Sequence, residues 1–169
     1  MPYPKPLNDV IYRFELYEKN SNTFKVYTIL DTAINELIYK KLIDTPIQKQ
    51  CLFNSTLEYY MPEVAPYIVL LEVDNIFSNW LLDNCRGNNW GIFLISKSDI
   101  KTLAEHYSNM TIVSHEDGNE YFFRYYDPRV LRLYLPTCTN NEFKQFKGPS
   151  DYIFFDDKDG LDWEIWPRN

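Results

Sequence analysis

The side chains able to do chemistry in this sequence are few, and their spacing limits what that chemistry is. Only two histidines occur, His106 and His115, without the H-E-x-x-H spacing that sets two imidazoles on one helical face around zinc. His106 falls on an expected helix and His115 at the shoulder of an expected hairpin, so both read as incidental surface residues. Neither a G-x-S-x-G elbow nor a cysteine-centred signature is present, which leaves nucleophilic catalysis without its framework. The five glycines, at 87, 91, 118, 148 and 160, form no G-x-G-x-x-G and no G-x-x-x-x-G-K loop, so no phosphate cradle is expected. Asp157, Asp159 and Gly160 resemble part of a calcium loop, yet with Gly160 at the turn position the first ligand would be Phe155 and the bidentate one Trp166. Neither binds calcium, and a glycine-containing hairpin turn accounts for D-D-K-D-G. The expectation is a non-enzymatic protein without cofactor or metal, with a small hydrolase as the rival from another class.

One concentration of charge remains, in YFFRYYDPRVLRLYLPT, Tyr121 to Thr137, where Arg124, Arg129 and Arg132 surround an Asp127-Pro128 step. Arg129 and Arg132 are three apart, on adjacent turns of one helical face, and Arg124 lies on the preceding strand. Asp127 is expected to cap the helix and to pair with one arginine, with Pro128 at the first helical position, where a missing N–H costs nothing. Arg124, Asp127 and Pro128 then build a strand-to-helix corner. One carboxylate cannot satisfy three guanidinium groups, so Arg129 and Arg132 are the candidates for binding an outside carboxylate or backbone carbonyl.

The frame for these residues is legible in the hydrophobic pattern. A chain of 169 residues suits one compact domain, read here as residues 23–169 preceded by an N-terminal arm over 1–22. FKVYTIL has strand composition and is followed by Asp31 as a helix cap, then by Ile34, Leu37, Ile38 and Leu42 on one helical face. YIVLLEV is a strand buried on both faces, and Asp74 or Asn75 caps a helix carrying Ile76, Phe77, Trp80 and Leu81. WGIFLI is a third strand, in which Trp90, Gly91 and Phe93 serve packing and Gly91 permits close backbone approach. Ser98 is expected to cap the next helix. Asp117-Gly118 marks a tight hairpin, Pro136 ends the helix after Leu135, and Thr139-x-x-Glu142 is a capping box. The closing segments YIFF and LDWEIW read as a last hairpin. Together these features predict an α/β fold with α+β character at its C-terminal end: a mixed sheet with helices packed on it, ending in antiparallel hairpins.

Composition narrows the class of partner. A formal charge of −7 disfavours non-specific nucleic-acid binding. Residues 151–164 hold Asp151, Asp156, Asp157, Asp159, Asp162 and Glu164 against Lys158 alone, a solvated acidic edge or a contact for a basic partner. Aromatics make up 17% of residues, which suits protein contacts. Cys51, Cys85 and Cys138 form no paired framework and read as reduced cysteines of a cytoplasmic protein. The start lacks an apolar signal region, and the longest apolar run is far short of a membrane span, so neither export by a signal peptide nor membrane insertion is expected.

FRYYDPRVLRLYLPT closely resembles the F-R-[FY]-[YF]-D-P-R-V-L-R-x-[FY]-L-P-T signature of the type VI secretion adaptor-chaperone domain called Tap or Tec. Further landmarks follow in the family's order: VYTILDTAIN, Cys51 to Phe53, Ala65 to Val69, the segment near Trp80, Trp90 to Leu94, and Phe146 to Pro149. The resemblance implies a non-catalytic protein that binds a toxic effector in the cytoplasm and delivers it to the VgrG spike. On that reading a groove or sheet edge takes an effector segment, another face meets the spike, and exposed aromatics act as anchors. An immunity protein that binds and neutralises a toxin is the alternative.

Overall fold

The computed structural model describes residues 24–72 and 74–167. The expected arm over 1–22 lies outside the described residues. β1 (Lys25–Asp31) takes up the β-branched and aromatic run, and its last five residues are buried. A 3-10 turn at Thr32–Ile34 leads into α1 (Glu36–Asp44), where Ile38 and Leu42 face the core. β2 (Lys49–Cys51), α2 (Ser55–Tyr60) and β3 (Pro66–Leu70) follow. Then come α3 (Ile76–Asn84), β4 (Gly91–Ser96) and α4 (Ile100–Ser108). The hairpin β5 (Ile112–Ser114) and β6 (Glu120–Phe122) leads into α5 (Pro128–Tyr134) and α6 (Asn140–Lys147). β7 (Tyr152–Asp156) and β8 (Trp163–Trp166) close the described chain.

Six strands form one sheet in the order β2-β3-β1-β4-β7-β8, while β5 and β6 pair apart from it. The period of two sorts the central strands onto two faces. Tyr27 and Ile29 of β1 join Ile92 and Leu94 of β4 under Leu103 and Tyr107 of α4, Leu131 of α5 and Phe146 of α6. Leu30 with Phe93 and Ile95 lies on the other face, under Ile38 and Leu42 of α1 and Phe77 and Leu81 of α3. Helices therefore cover both faces, which is why β3 and β4 read as unbroken apolar runs.

The α+β class holds, with helices on the sheet and a terminal hairpin, but the sheet is antiparallel at every described pairing rather than mixed. β3 and β4 both run against β1, so they are parallel to each other and α3 is a crossover between them. β1 occupies the slot between the two, which strand periodicity cannot reveal, because it records which faces are buried and not which strand lies alongside.

Local signals moved by one to four residues, and Asp31 caps the 3-10 turn instead of α1. Asn35, not Asp31, caps α1, and Asp99, not Ser98, caps α4 by accepting the Thr102 N–H at 2.8 Å. Of the two candidate caps of α3, Asn75 is the one used, while Asp74 takes a positive φ of 62°. Pro136 lies in a 3-10 turn, Leu135–Thr137, just past the end of α5. The capping box of Thr139 and Glu142 is present. His106 is not incidental: its Nε2 lies 3.0 Å from the Phe146 carbonyl and ties α4 to α6.

Gly91 sits where β4 crosses closest to β1. A Cβ built there would stand 2.2 Å from the Ile29 carbonyl oxygen, a backbone atom that cannot move without breaking the register. Gly91→Ala is therefore expected to lower unfolding stability by about 1–3 kcal/mol in urea titration, the cost of overpacking a close-packed site. A stability equal to that of the parent protein would show that the two strands separate freely there.

Candidate functional site

Asp31 ends the central strand and is 1% exposed, so its charge needs a partner. Its carboxylate accepts the Ala33 N–H at 3.1 Å, and Arg124 supplies the opposing charge in a direct ion pair. The Asp31 N–H donates to the Trp90 carbonyl at 2.8 Å, which fixes the same point to the start of β4. Arg124 thus meets an acid 93 positions away in sequence rather than Asp127.

Asp127 does cap α5, accepting the Arg129 N–H at 2.9 Å with Pro128 at the first helical position. Its arginine is Arg129, whose Nε and Nη2 reach the two carboxylate oxygens at 3.0 and 2.8 Å in a fork. The Arg129 side chain is 58% exposed and rims the corner. Arg132 turns inward. Its Nη1 donates to the carbonyls of Asp156 at 2.7 Å and Asp157 at 3.2 Å, and its Nη2 to Asn89 Oδ1 at 3.4 Å. Behind the corner the Tyr125 hydroxyl donates to the Tyr107 carbonyl at 2.7 Å. Burial holds the phenols of Tyr107, Tyr125 and Tyr126 well above their ordinary value, and Tyr107 and Tyr125 donate as neutral hydroxyls.

Arg86, which no spacing singled out, organises the C-terminal hairpin. It donates to Asp156 Oδ1 at 2.6 Å and to the carbonyls of Gly160 and Asp162 at 3.2 and 3.3 Å, with its guanidinium 3.8 Å from the centre of the Trp163 ring. The Gly87 N–H takes the other Asp156 oxygen at 2.8 Å. Burial pushes the Asp156 carboxyl up, against the opposing pull of these donors. Trp90 stacks on Trp80 at 5.3 Å and Phe93 on Phe154 at 5.2 Å, so both lie within the packing of the sheet's second face.

Beside this corner an open groove of about 500 Å³ runs between α2 and the β5–β6 hairpin. Asn54, Thr56 and Leu57 form one wall, Ile112 and the three consecutive residues Glu120, Tyr121 and Phe122 the other. Phe122 leans on Phe53 with ring centres 5.4 Å apart, which anchors the hairpin to the segment before α2. The hairpin tip is ordered by Asp117, which accepts the Asn119 N–H at 2.8 Å and the Tyr121 hydroxyl at 3.2 Å. The Asn119 N–H above all holds the Asp117 carboxyl below its ordinary value.

Burial pushes the Cys51 thiol up to about 11 and the Cys85 thiol up to about 12, so neither is a thiolate at neutral pH. Among the described residues no cluster of three or more His, Cys, Asp or Glu side chains can hold a metal ion. No described helix is long and apolar enough to cross a membrane.

A family model described as a domain of unknown function, DUF4123, matches residues 26–145, a span that holds the Asp31–Arg124 pair, the α5 corner and both walls of the groove. No curated protein and no solved structure matches the chain.

The two exposed-side arginines should differ in stability cost. Arg124→Met strands the buried Asp31 and is expected to cost about 2 kcal/mol, less than a fully buried pair because the guanidinium is 44% exposed. Arg129→Met should cost no more than about 1 kcal/mol. Equal losses in chemical denaturation would remove Asp31 from its central place.

The hairpin should respond to acid. A carboxyl depressed in the folded state contributes stability above its unfolded value and loses it as pH falls through the folded one. Amide exchange at Gly118 and Asn119 is therefore expected to accelerate below the ordinary carboxylate range, over and above the intrinsic pH dependence of exchange. Asp117→Asn should abolish that excess; an unchanged profile in the variant would assign the effect elsewhere.

Proposed function

Because the chain belongs to the DUF4123 family, known as the type VI secretion effector adaptor domain, we propose that it is a non-catalytic adaptor and chaperone for a type VI secretion effector. It binds its cognate effector in the bacterial cytoplasm and helps to load it onto the VgrG spike. The match over residues 26–145 carries this reading, and the family is of adaptor rather than enzyme type.

The surface chemistry supports protein binding. Arg129 holds its fork on Asp127 yet stays open to solvent, and Leu133, one helical turn further on, is 77% exposed. An arginine beside an exposed leucine suits the polar rim and apolar centre of an interface. Arg129 contacts the partner directly. Arg132 contributes by holding Asn89 and the Asp156–Asp157 carbonyls beside it, so the surface presented to a partner keeps its shape.

Co-expression with a candidate type VI effector and a VgrG spike tests the reading. The expected result is a complex containing all three proteins, with no protection of a target cell that makes this protein alone. Arg129→Glu should weaken effector capture by at least about tenfold, the loss of one charge-assisted contact, while circular dichroism stays unchanged. Protection of the target cell without any bridging to the spike would make the protein an immunity protein instead.

A further inference from the structure

The geometry points to the groove between β6 and α2 as the seat of an extended, apolar effector segment that carries lysine or arginine, an inference that rests on the adaptor reading above. The groove is lined by three consecutive residues of β6, Glu120, Tyr121 and Phe122. Their side chains alternate between the faces of the hairpin, so a groove that touches all three follows the edge of the strand. Among the described residues β6 pairs with β5 alone, so its other edge carries its own row of backbone donors and acceptors. An extended segment laid there gains main-chain hydrogen bonds, as in other cases of strand addition, and sends alternate side chains toward Leu57 on the facing wall.

Charge selects the segment. The charged residue in the lining is Glu120. The stretches that build the two walls, residues 53–65 and 108–123, hold Glu58, Glu63, Glu116, Asp117 and Glu120 and not one lysine or arginine. An incoming acidic strand meets like charge at Glu120 and in the flanking stretches, and a basic one meets complementary potential. Aromatic surface is at hand for anchoring: Tyr121 and Phe122 are each about half exposed, and Tyr59 and Tyr60 at the end of α2 are more than two-thirds exposed.

The test uses the full chain, isotopically labelled, with two synthetic peptides: one alternating valine and lysine, and its twin alternating valine and glutamate. The lysine peptide is expected to shift the amide signals of Ile112 and Glu120 to Phe122 and to bind at least about tenfold more tightly than the glutamate twin. Glu120→Lys should erase that preference, whereas Glu105→Lys, the same charge change on α4, should leave it intact. Equal binding of the two peptides, no binding, or shifts confined to other elements would overturn the assignment. So would a concentration-dependent dimer whose contacts centre on Phe122, or nuclear Overhauser contacts from Phe122 to residues 1–23, since a second copy or the chain's own arm would then fill the groove. If Glu120→Lys captures the effector as well as the parent protein does, the groove assignment fails while the adaptor reading stands. If the parent protein itself captures no effector, it is the adaptor reading that fails.

Discussion

A carboxylate at the end of the central strand, closed off from water, is the constraint around which the fold is arranged. Asp31 is buried there, and the side chain that pairs with it comes from the segment between β6 and α5. The same residue bonds by its backbone to Trp90 at the head of β4, so one position ties the first strand, the fourth and the entry to the α5 helix. In the sequence ILDTAIN and FRYYDPR stand far apart. In space they are two halves of one ion pair.

Charge elsewhere is also turned inward. Arg86 and Arg132 both hold the β7–β8 hairpin by its carbonyls, and Arg86 covers Trp163 as well. Asp156, Asp157 and Asp162, read from composition as part of an acidic edge, are built into this clamp through side chain or backbone. With these arginines committed to structure, Arg129 at the corner keeps an open face, and the hairpin groove carries an acidic, aromatic surface.

The residues made much of this visible in advance. The Asp127-Pro128 helix start, the Thr139 capping box and the Gly118 turn depend on side chains within three or four positions, and local chemistry is what a sequence displays. The runs that form β1 and β4 were legible from their apolar, β-branched and aromatic content. Partners distant in sequence did not: nothing local tells Arg124 to seek Asp31, or Arg86 in a polar Gly-Asn loop to seek Asp156. The slot taken by β1 was hidden for the same reason, since burial on both faces looks alike whichever strand lies next to it. The groove was hidden too, because Leu57 and Ile112 become neighbours only when the hairpin docks on Phe53.

The place of β1 between β3 and β4 has a consequence for synthesis. Among the described strands the middle one leaves the ribosome first, and both of its edges stay unpaired until strands made later arrive to flank it. The nascent chain therefore exposes a largely apolar template early. The clamp of Arg86 on β7 and β8 can form only once that hairpin, the last of the described strands, has been made.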